Sequence, residues 1–191
     1  MALNHTYIVL DLETKKLLFE VGGKQNLDQL GISVAGLFDS RDQRYFCLRE
    51  GNIKDIVPYL SAVDRIVGFN TEGFDFDVLQ PYVPNINLKR LPSLDILTEI
   101  NKILGHRVSL DSVAQATLGI GKSADGLMAI KWFHEGKFEE IEKYCLQDVE
   151  VTHKLYLYAL EHGELKYTAR DTNEIKTIKV NFHFEPEQTL F

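Results

Sequence analysis

The chain has 191 residues and a formal net charge of −7, with 45% hydrophobic and 26% charged residues. This composition is typical of a globular domain with a full core, and the negative charge disfavours a broad basic face for nucleic acid. No apolar run approaches the ~20 residues that a membrane helix needs, and the N-terminus lacks the basic start and apolar stretch of a signal peptide. We therefore expect a cytoplasmic protein that makes no membrane contact.

The first half of the chain is predicted to consist mainly of strands. Apolar runs rich in β-branched and aromatic residues, which favour buried strands, occupy 7–12, 31–38, 44–48 and 64–69. A polar turn signal at 39–42 predicts that the second and third strands form a hairpin. Apolar residues at helical spacing predict a helix over 52–62, and Asn70 is expected to cap a short helix that carries Phe74 and Asp75.

The second half is predicted to be mostly helical. A short strand over 91–96 is expected to lead into the first of four helices. These helices are predicted at 96–104, 109–119, 125–134 and 138–162, and a loop is predicted at 120–126. Gly163 is expected to end the longest helix. The segments 164–168 and 175–184 then predict a two-stranded addition.

The order of these elements predicts the fold class. Strands followed by a helix, two more strands and several helices indicate an α/β fold with a mixed β-sheet flanked by α-helices. We expect one domain over 1–163, with a small C-terminal β-hairpin and tail over 164–191 appended to it.

Three short acidic signatures occur in order along the chain. They are Asp11-Leu12-Glu13, Asn70-Thr71-Glu72-Gly73-Phe74-Asp75 and Tyr144-Cys145-Leu146-Gln147-Asp148. Alternation along a strand places Asp11 and Glu13 on one face, and a spacing of four places Tyr144 and Asp148 on one face of a helix. Together with Asp75 they give four carboxylates and a phenol. Carboxylates that converge repel one another unless cations lie between them, which indicates two hard divalent metals and phosphoryl chemistry.

These signatures resemble the DEDD superfamily of 3′–5′ exonucleases, which have a ribonuclease H-like fold. Asp11 and Glu13 match its first motif, Asn70 to Asp75 its second, and Tyr144 with Asp148 the third motif of its tyrosine branch (DEDDy). The histidine branch has a histidine where this chain has Lys143. The resemblance extends from about residue 7 to residue 161. Many relatives have Thr-Gly after the first motif, whereas this chain has Thr14-Lys15.

The resemblance implies a two-metal mechanism and a set of roles. Two Mg²⁺ or Mn²⁺ ions would be held by Asp11, Glu13, Asp75 and Asp148, with Asp11 bridging both ions. Tyr144 would orient the attacking water, since a phenol with a pKa of about 10 is a poor general base. The implied reaction releases nucleoside monophosphates from the 3′ end of single-stranded DNA, and RNA stays an open alternative. The residues expected nearest the substrate are Leu12, Thr14, Asn70, Phe74 and Lys122.

Other functions remain open from the sequence. A non-catalytic nucleic-acid-binding or protein-interaction module on the same fold is the main alternative, and an endonuclease is a third. The residues from Gln188 to Phe191 loosely resemble peptides that bind a sliding clamp, although an ordinary tail is the preferred interpretation. The cations that could hold a short single strand are Lys89, Arg90, Arg107, Lys122, Lys131 and Lys137.

Cysteine and histidine usage disfavours a zinc site. Cys47 and Cys145 form no Cys-x-x-Cys pair and are expected to be buried reduced thiols. The six histidines lack the spacing of zinc ligands. His134 and His153 are expected at partly exposed helix positions.

Overall fold

A mixed five-stranded sheet lies at the centre of the computed structural model, which describes residues 3–121 and 126–184. Its strands are β1 (Tyr7–Thr14), β2 (Ile32–Asp39), β3 (Arg44–Arg49), β4 (Arg65–Gly68) and β5 (Ser93–Asp95). They lie in the order β3-β2-β1-β4-β5. β2 is antiparallel to both β1 and β3, whereas β4 is parallel to both β1 and β5. The predicted α/β fold with a mixed sheet is confirmed.

Helices cover the sheet, and a separate hairpin follows the last of them. Within the described residues the α-helices are α1 (Val57–Ser61), α2 (Asp75–Leu79), α3 (Ile96–Leu104), α4 (Leu110–Leu118), α5 (Gly126–His134) and α6 (Phe138–His162). The hairpin consists of β6 (Glu164–Thr168) and β7 (Ile175–Lys179). The bounds of α3, α4 and α6 agree with the prediction to within one residue, and the predicted C-terminal hairpin is present.

Two element boundaries differ from the prediction. The stretch 52–62, predicted as one helix, is a 3-10 helix over Glu50–Ile56 followed by α1. Pro58 lacks the N–H that would continue the hydrogen-bond ladder, so a new helix starts around it. β7 ends at Lys179 although strand was predicted as far as 184, because its partner β6 begins at Glu164, directly opposite Lys179.

Side-chain alternation along β1 divides the core into two parts. Tyr7 and Val9 face a cluster formed with α3, α4, α6 and the hairpin, whereas Ile8 and Leu10 face a cluster on the opposite side of the sheet. Because the period of a strand is two, Asp11 continues the series of Tyr7 and Val9. The first acidic motif therefore lies on the face of the sheet that α6 covers.

A glycine in β2 brings α6 close to the sheet. Gly36 lies opposite Asp11 in the β1–β2 register. A β-carbon at this position would lie 2.7 Å from Cys145 Sγ and 3.0 Å from Val149 Cγ2, distances at which packed atoms clash. Gly36 therefore sets how closely α6 approaches Asp11, which is the usual reason for glycine inside a strand.

A buried histidine also joins α6 to the sheet. His153, expected to be partly exposed, is only 7% exposed. Its Nε2 lies 2.8 Å from the Tyr7 hydroxyl and its Nδ1 lies 2.6 Å from the Tyr45 hydroxyl. The expectation was wrong because the sheet provides two phenols that satisfy both ring nitrogens in the interior. Burial lowers the pKa of His153 to about 4, so the ring is neutral at pH 7.

The C-terminal hairpin is attached to α4 by side-chain hydrogen bonds to its backbone. Ser112 Oγ accepts from the Thr168 N–H at 3.1 Å, and Thr117 Oγ1 accepts from the Lys166 N–H at 2.9 Å. The same hydroxyls donate to the carbonyls of the same two residues. The side chains that β6 turns toward the core, such as that of Leu165, are buried in the cluster with α4 and α6. The position of the hairpin on the domain is therefore fixed along the length of α4.

Two sequence predictions lie outside the described residues. They are the clamp contact of Gln188 to Phe191 and the substrate contact of Lys122. Among the described residues, no helix is both long and apolar enough to cross a membrane.

Candidate active site

The first acidic motif forms the centre of a cluster at the end of β1. Oxygen atoms of Asp11 and Glu13 and the Sγ of Cys145 all lie within 4.8 Å of one another. Glu13 is buried and Asp11 is half-buried. The Cys145 thiol donates to the main-chain oxygen and to Oδ2 of Asp11, each at 3.5 Å. The sheet contributes the carboxylates, and α6 contributes the thiol beside them.

Asp75 approaches this cluster from the first turn of α2. Because β1 and β4 are parallel neighbours, the segment that follows β4 starts at the same edge of the sheet as the end of β1. Asp75 is 4% exposed, and the backbone N–H of Leu12 donates to its carboxylate. Burial raises the pKa of Asp75 to about 7, although this hydrogen bond and one from its own backbone oppose the rise.

α6 supplies Asp148 and Tyr144 from one face. The Tyr144 hydroxyl donates to the Asp148 carboxylate, as residues four apart on a helix can do. Tyr144 is buried beneath α5, where the Trp132 ring packs edge-on against it at 6.2 Å between centroids. Burial first, and the neighbouring carboxylates next, raise the pKa of Tyr144. The phenol therefore keeps its proton at neutral pH and can act as a hydrogen-bond donor.

The electrostatics of the cluster favour bound cations. Burial is the largest cause that raises the pKa of Asp11 well above its usual range, and the other three carboxylates are the next. Burial, then Asp148 and Asp75, raise the pKa of Glu13 in the same way. Within the described residues, no lysine, arginine or histidine forms an ion pair with Asp11, Glu13 or Asp75. Hard oxygen ligands without a protein counter-charge fit Mg²⁺ or Mn²⁺, which prefer carboxylates.

Sequence reasoning missed the residue that holds the second motif in place. Asp95 ends β5, is 2% exposed, and accepts backbone hydrogen bonds from Asn70 (2.8 Å), Glu72 (3.0 Å) and Thr98 (3.1 Å). The Thr98 bond caps the N-terminus of α3, and this capping pattern was the signal available in the sequence. The other two bonds fix the turn that leads from β4 to Asp75.

Replacing Asp95 with Ala should lower the free energy of unfolding by about 2–4 kcal/mol, since three backbone N–H groups lose a charged acceptor. Asp95→Asn, which keeps one acceptor oxygen, should cost less. Urea denaturation measures both values, and Asp42→Ala on the exposed β2–β3 turn is the control. If Asp95→Ala unfolds at the same urea concentration as this control, Asp95 does not organise the turn.

Cys145 is a second residue that sequence reasoning did not assign to the site. It was expected to be a buried reduced thiol, and it is buried and free, whereas Cys47 is only partly buried. Burial and the nearby carboxylates raise the pKa of Cys145, so it remains a thiol that can donate to Asp11. Its place next to Tyr144 in the third motif was the only sequence signal.

The residues expected near the substrate differ in their burial and in their hydrogen-bond partners. Leu12 is buried in the core, and Thr14 is buried with its hydroxyl donating to the Lys16 carbonyl at 3.0 Å. Phe74 is half-buried against the same core as Leu12. Asn70 does not cap α2, whose N-cap is Phe74 without a side-chain bond. That prediction is wrong because Asn70 has a φ of 74° in the preceding turn and its Oδ1 instead accepts from Arg107 Nη2 at 2.6 Å.

A mixed sheet with an acidic cluster at the end of its central strand defines the ribonuclease H-like class of domain. The chain belongs to the RNase_H superfamily, whose family profile matches residues 8–160. This membership and the acidic cluster indicate a nuclease. A comparison with curated proteins gave no significant match.

The fold is similar to that of a solved structure, the family B DNA polymerase from the hyperthermophilic archaeon Pyrobaculum calidifontis. The TM-score is 0.63 and the sequence identity is 18%. The aligned region covers 82% of this chain and 24% of the polymerase chain. At this identity the likeness shows the fold alone, and the chain corresponds to about a quarter of the polymerase.

Proposed function

We propose that the protein is a metal-dependent 3′–5′ exonuclease of the tyrosine DEDD branch that acts on single-stranded nucleic acid, with DNA as the first candidate. The observation that carries this proposal is the approach of four carboxylates from β1, α2 and α6 to one place. Burial and the neighbouring carboxylates raise the pKa values of Asp11 and Glu13, and burial raises that of Asp75. Among the described residues, no cation forms an ion pair with these three carboxylates. A binding module has no use for such a costly arrangement.

Asp11, Glu13, Asp75 and Asp148 are the residues that would hold two Mg²⁺ or Mn²⁺ ions. When bound, such ions lower the pKa of a water and neutralise charge that develops on the phosphate. Asp11 would be a central ligand, because all three other carboxylates are close enough to raise its pKa. The protein holds Asp11 in place through the Cys145 thiol and holds Asp75 through the Leu12 amide.

Tyr144 has the properties of a group that positions water. Burial raises the pKa of its phenol, which favours the protonated form that can donate a hydrogen bond. Its hydrogen bond to Asp148 fixes the hydroxyl beside a carboxylate of the cluster. A water held by these two groups would be oriented toward the terminal phosphodiester, and this is the role that we propose for Tyr144.

Digestion of single-stranded oligomers tests this proposal. DNA and RNA strands labelled at the 3′ or the 5′ end are incubated with Mn²⁺ and the wild-type protein, Asp11→Ala or the exposed-site control Asp28→Asn. The expected result is stepwise shortening from the 3′ end with release of nucleoside monophosphates, lost only in Asp11→Ala. Internal cuts would indicate an endonuclease. Intact strands in every lane, with binding retained, would indicate the non-catalytic module.

A further inference from the structure

A groove lined by basic residues lies between the α3–α4 connection and the C-terminal hairpin. It has a volume of about 450 Å³, and its lining includes one histidine and four charged residues, which are His106, Arg107, Arg170, Asp171 and Lys176. Asp171 is the only acidic residue among those that line it. On a chain with a net charge of −7, such a local excess of cations is the part of the surface that can attract a polyanion.

The cations of this groove form no ion pair with the acidic residues that the structure describes. Within the part of the chain that the structure describes, Arg107, Arg170 and Lys176 form no salt bridge. Three of the other cations considered from the sequence do: Lys89 pairs with Asp77, and Lys131 and Lys137 both pair with Glu135. Charges that no protein group neutralises are available to phosphates, whereas paired lysines must first lose a partner.

The groove has fixed walls. The bonds of Ser112 to the Thr168 backbone anchor β6 on α4, and Lys176 lies directly opposite Tyr167 in the hairpin register. Cross-strand neighbours of this kind are on the same face of a hairpin. The exposed His106 ring forms a T-shaped pair with Tyr167, with 6.1 Å between centroids, and an exposed aromatic ring can stack on a base.

Arg107 connects the groove to the acidic cluster. Its Nη2 donates to Asn70 Oδ1 at 2.6 Å, and Asn70 lies in the Asp95-held turn that leads to Asp75. A strand whose 3′ end reaches the carboxylates can therefore continue past Arg107 toward the hairpin.

We infer that this groove binds the sugar–phosphate backbone of the single strand upstream of its 3′ terminus. Arg107, Arg170 and Lys176 contact phosphates, and His106 stacks on a base. This inference rests on the proposed exonuclease function for the direction of the strand. It adds a role for the hairpin, which carries two of the three phosphate-binding cations.

The test reverses the charge of two groove residues and leaves the four carboxylates of the acidic cluster unchanged. The pair Arg170→Glu/Lys176→Glu is compared with Lys24→Glu/Lys54→Glu, which reverses two exposed lysines elsewhere and changes the net charge equally. Binding of labelled single-stranded DNA and RNA to the full chain is measured by fluorescence anisotropy in EDTA over a range of salt. We expect the groove pair to weaken binding at least about tenfold and to reduce the slope of log K against log[salt] by about 1.4, or ~0.7 for each lost phosphate contact.

Each outcome decides the inference. If the Lys24/Lys54 control lowers the affinity equally, or if the groove pair leaves the salt slope unchanged, the groove does not bind the strand. If the reversed pair loses thermal stability, Arg170→Gln/Lys176→Gln replaces it and should give a smaller loss of affinity with the same sign. Loss of binding only in the groove pair supports the site, with DNA and RNA affected alike because both present the same phosphates.

Hydrolysis in Mn²⁺ separates this inference from the proposed function. The groove pair should raise KM for a 20-nucleotide strand and leave the hydrolysis of a dinucleotide unchanged, since a dinucleotide does not extend into the groove. If the wild type binds through the groove but hydrolyses no strand, the exonuclease proposal fails and the groove stands. If the wild type hydrolyses strands and the groove pair does not change KM, the inference about the groove is wrong and the exonuclease proposal is supported.

Discussion

Asp11→Asn should abolish Mn²⁺-dependent hydrolysis, with a loss of at least about 10³-fold in rate. All three other carboxylates raise the pKa of Asp11, so it interacts electrostatically with the whole cluster. An amide has nearly the same shape but carries no negative charge that could hold a dication. The rate of release of a labelled 3′ nucleotide measures the effect, with Asp28→Asn as the matched control at an exposed position.

The same substitution should stabilise the protein in EDTA at pH 8. Burial and repulsion destabilise the ionised Asp11 in the folded state, and a neutral amide removes both costs. The thermal midpoint of Asp11→Asn should therefore rise without metal, and the gain in midpoint that Mn²⁺ gives the wild type by mass action should be largely lost. A variant that is less stable in EDTA and still stabilised by Mn²⁺ would contradict the placement of Asp11 at the metal centre.

Asp75 should make the metal-free protein more stable as the pH falls from 8 to 5, whereas the buried His153, whose pKa is about 4 in the folded state, gives an opposite change below about pH 6.5. Burial raises the pKa of Asp75 to about 7 in the folded state, whereas an aspartate in the unfolded chain titrates near 3.9. Between these values the folded state binds more protons than the unfolded state, so the free energy of unfolding increases on acidification. Asp75 alone contributes up to a few kcal/mol, and this gain is lost again as the pH rises through about 7.

Thermal denaturation in EDTA across this pH range measures the effect. Asp75→Asn removes this titrating group and should lose its part of the gain in stability on acidification, while Asp28→Asn should leave the profile unchanged. Mn²⁺ should remove most of the slope, because a bound cation offsets the cost of the ionised carboxylates at high pH. A wild-type profile in EDTA that matches the profile of Asp75→Asn between pH 8 and 5 would show that Asp75 is not held in a buried acidic cluster.

Local sequence patterns placed some residues of the site, whereas others depend on contacts between residues that are far apart in the sequence. Alternation along β1 was enough to place Asp11 and Glu13 on one face, and helical periodicity did the same for Tyr144 and Asp148. Asn70 was assigned to the wrong role because a residue with an Asn side chain can cap a helix or adopt positive φ in a turn. The Asn70 N–H donates to Asp95, which lies 25 residues later in the chain, and this hydrogen bond holds Asn70 in the turn.

Local patterns in the sequence predict the strands, the longer helices and the order of the acidic motifs, because hydrophobic period and turn residues are local properties of the chain. The distances between these elements depend on the folded structure. Gly36 allows α6 to reach Asp11, Cys145 meets Asp11 across 134 positions of sequence, and the hairpin faces the α3–α4 connection to form the basic groove. Such contacts depend on packing between distant segments, and packing is set by the shape of the whole core rather than by any one segment.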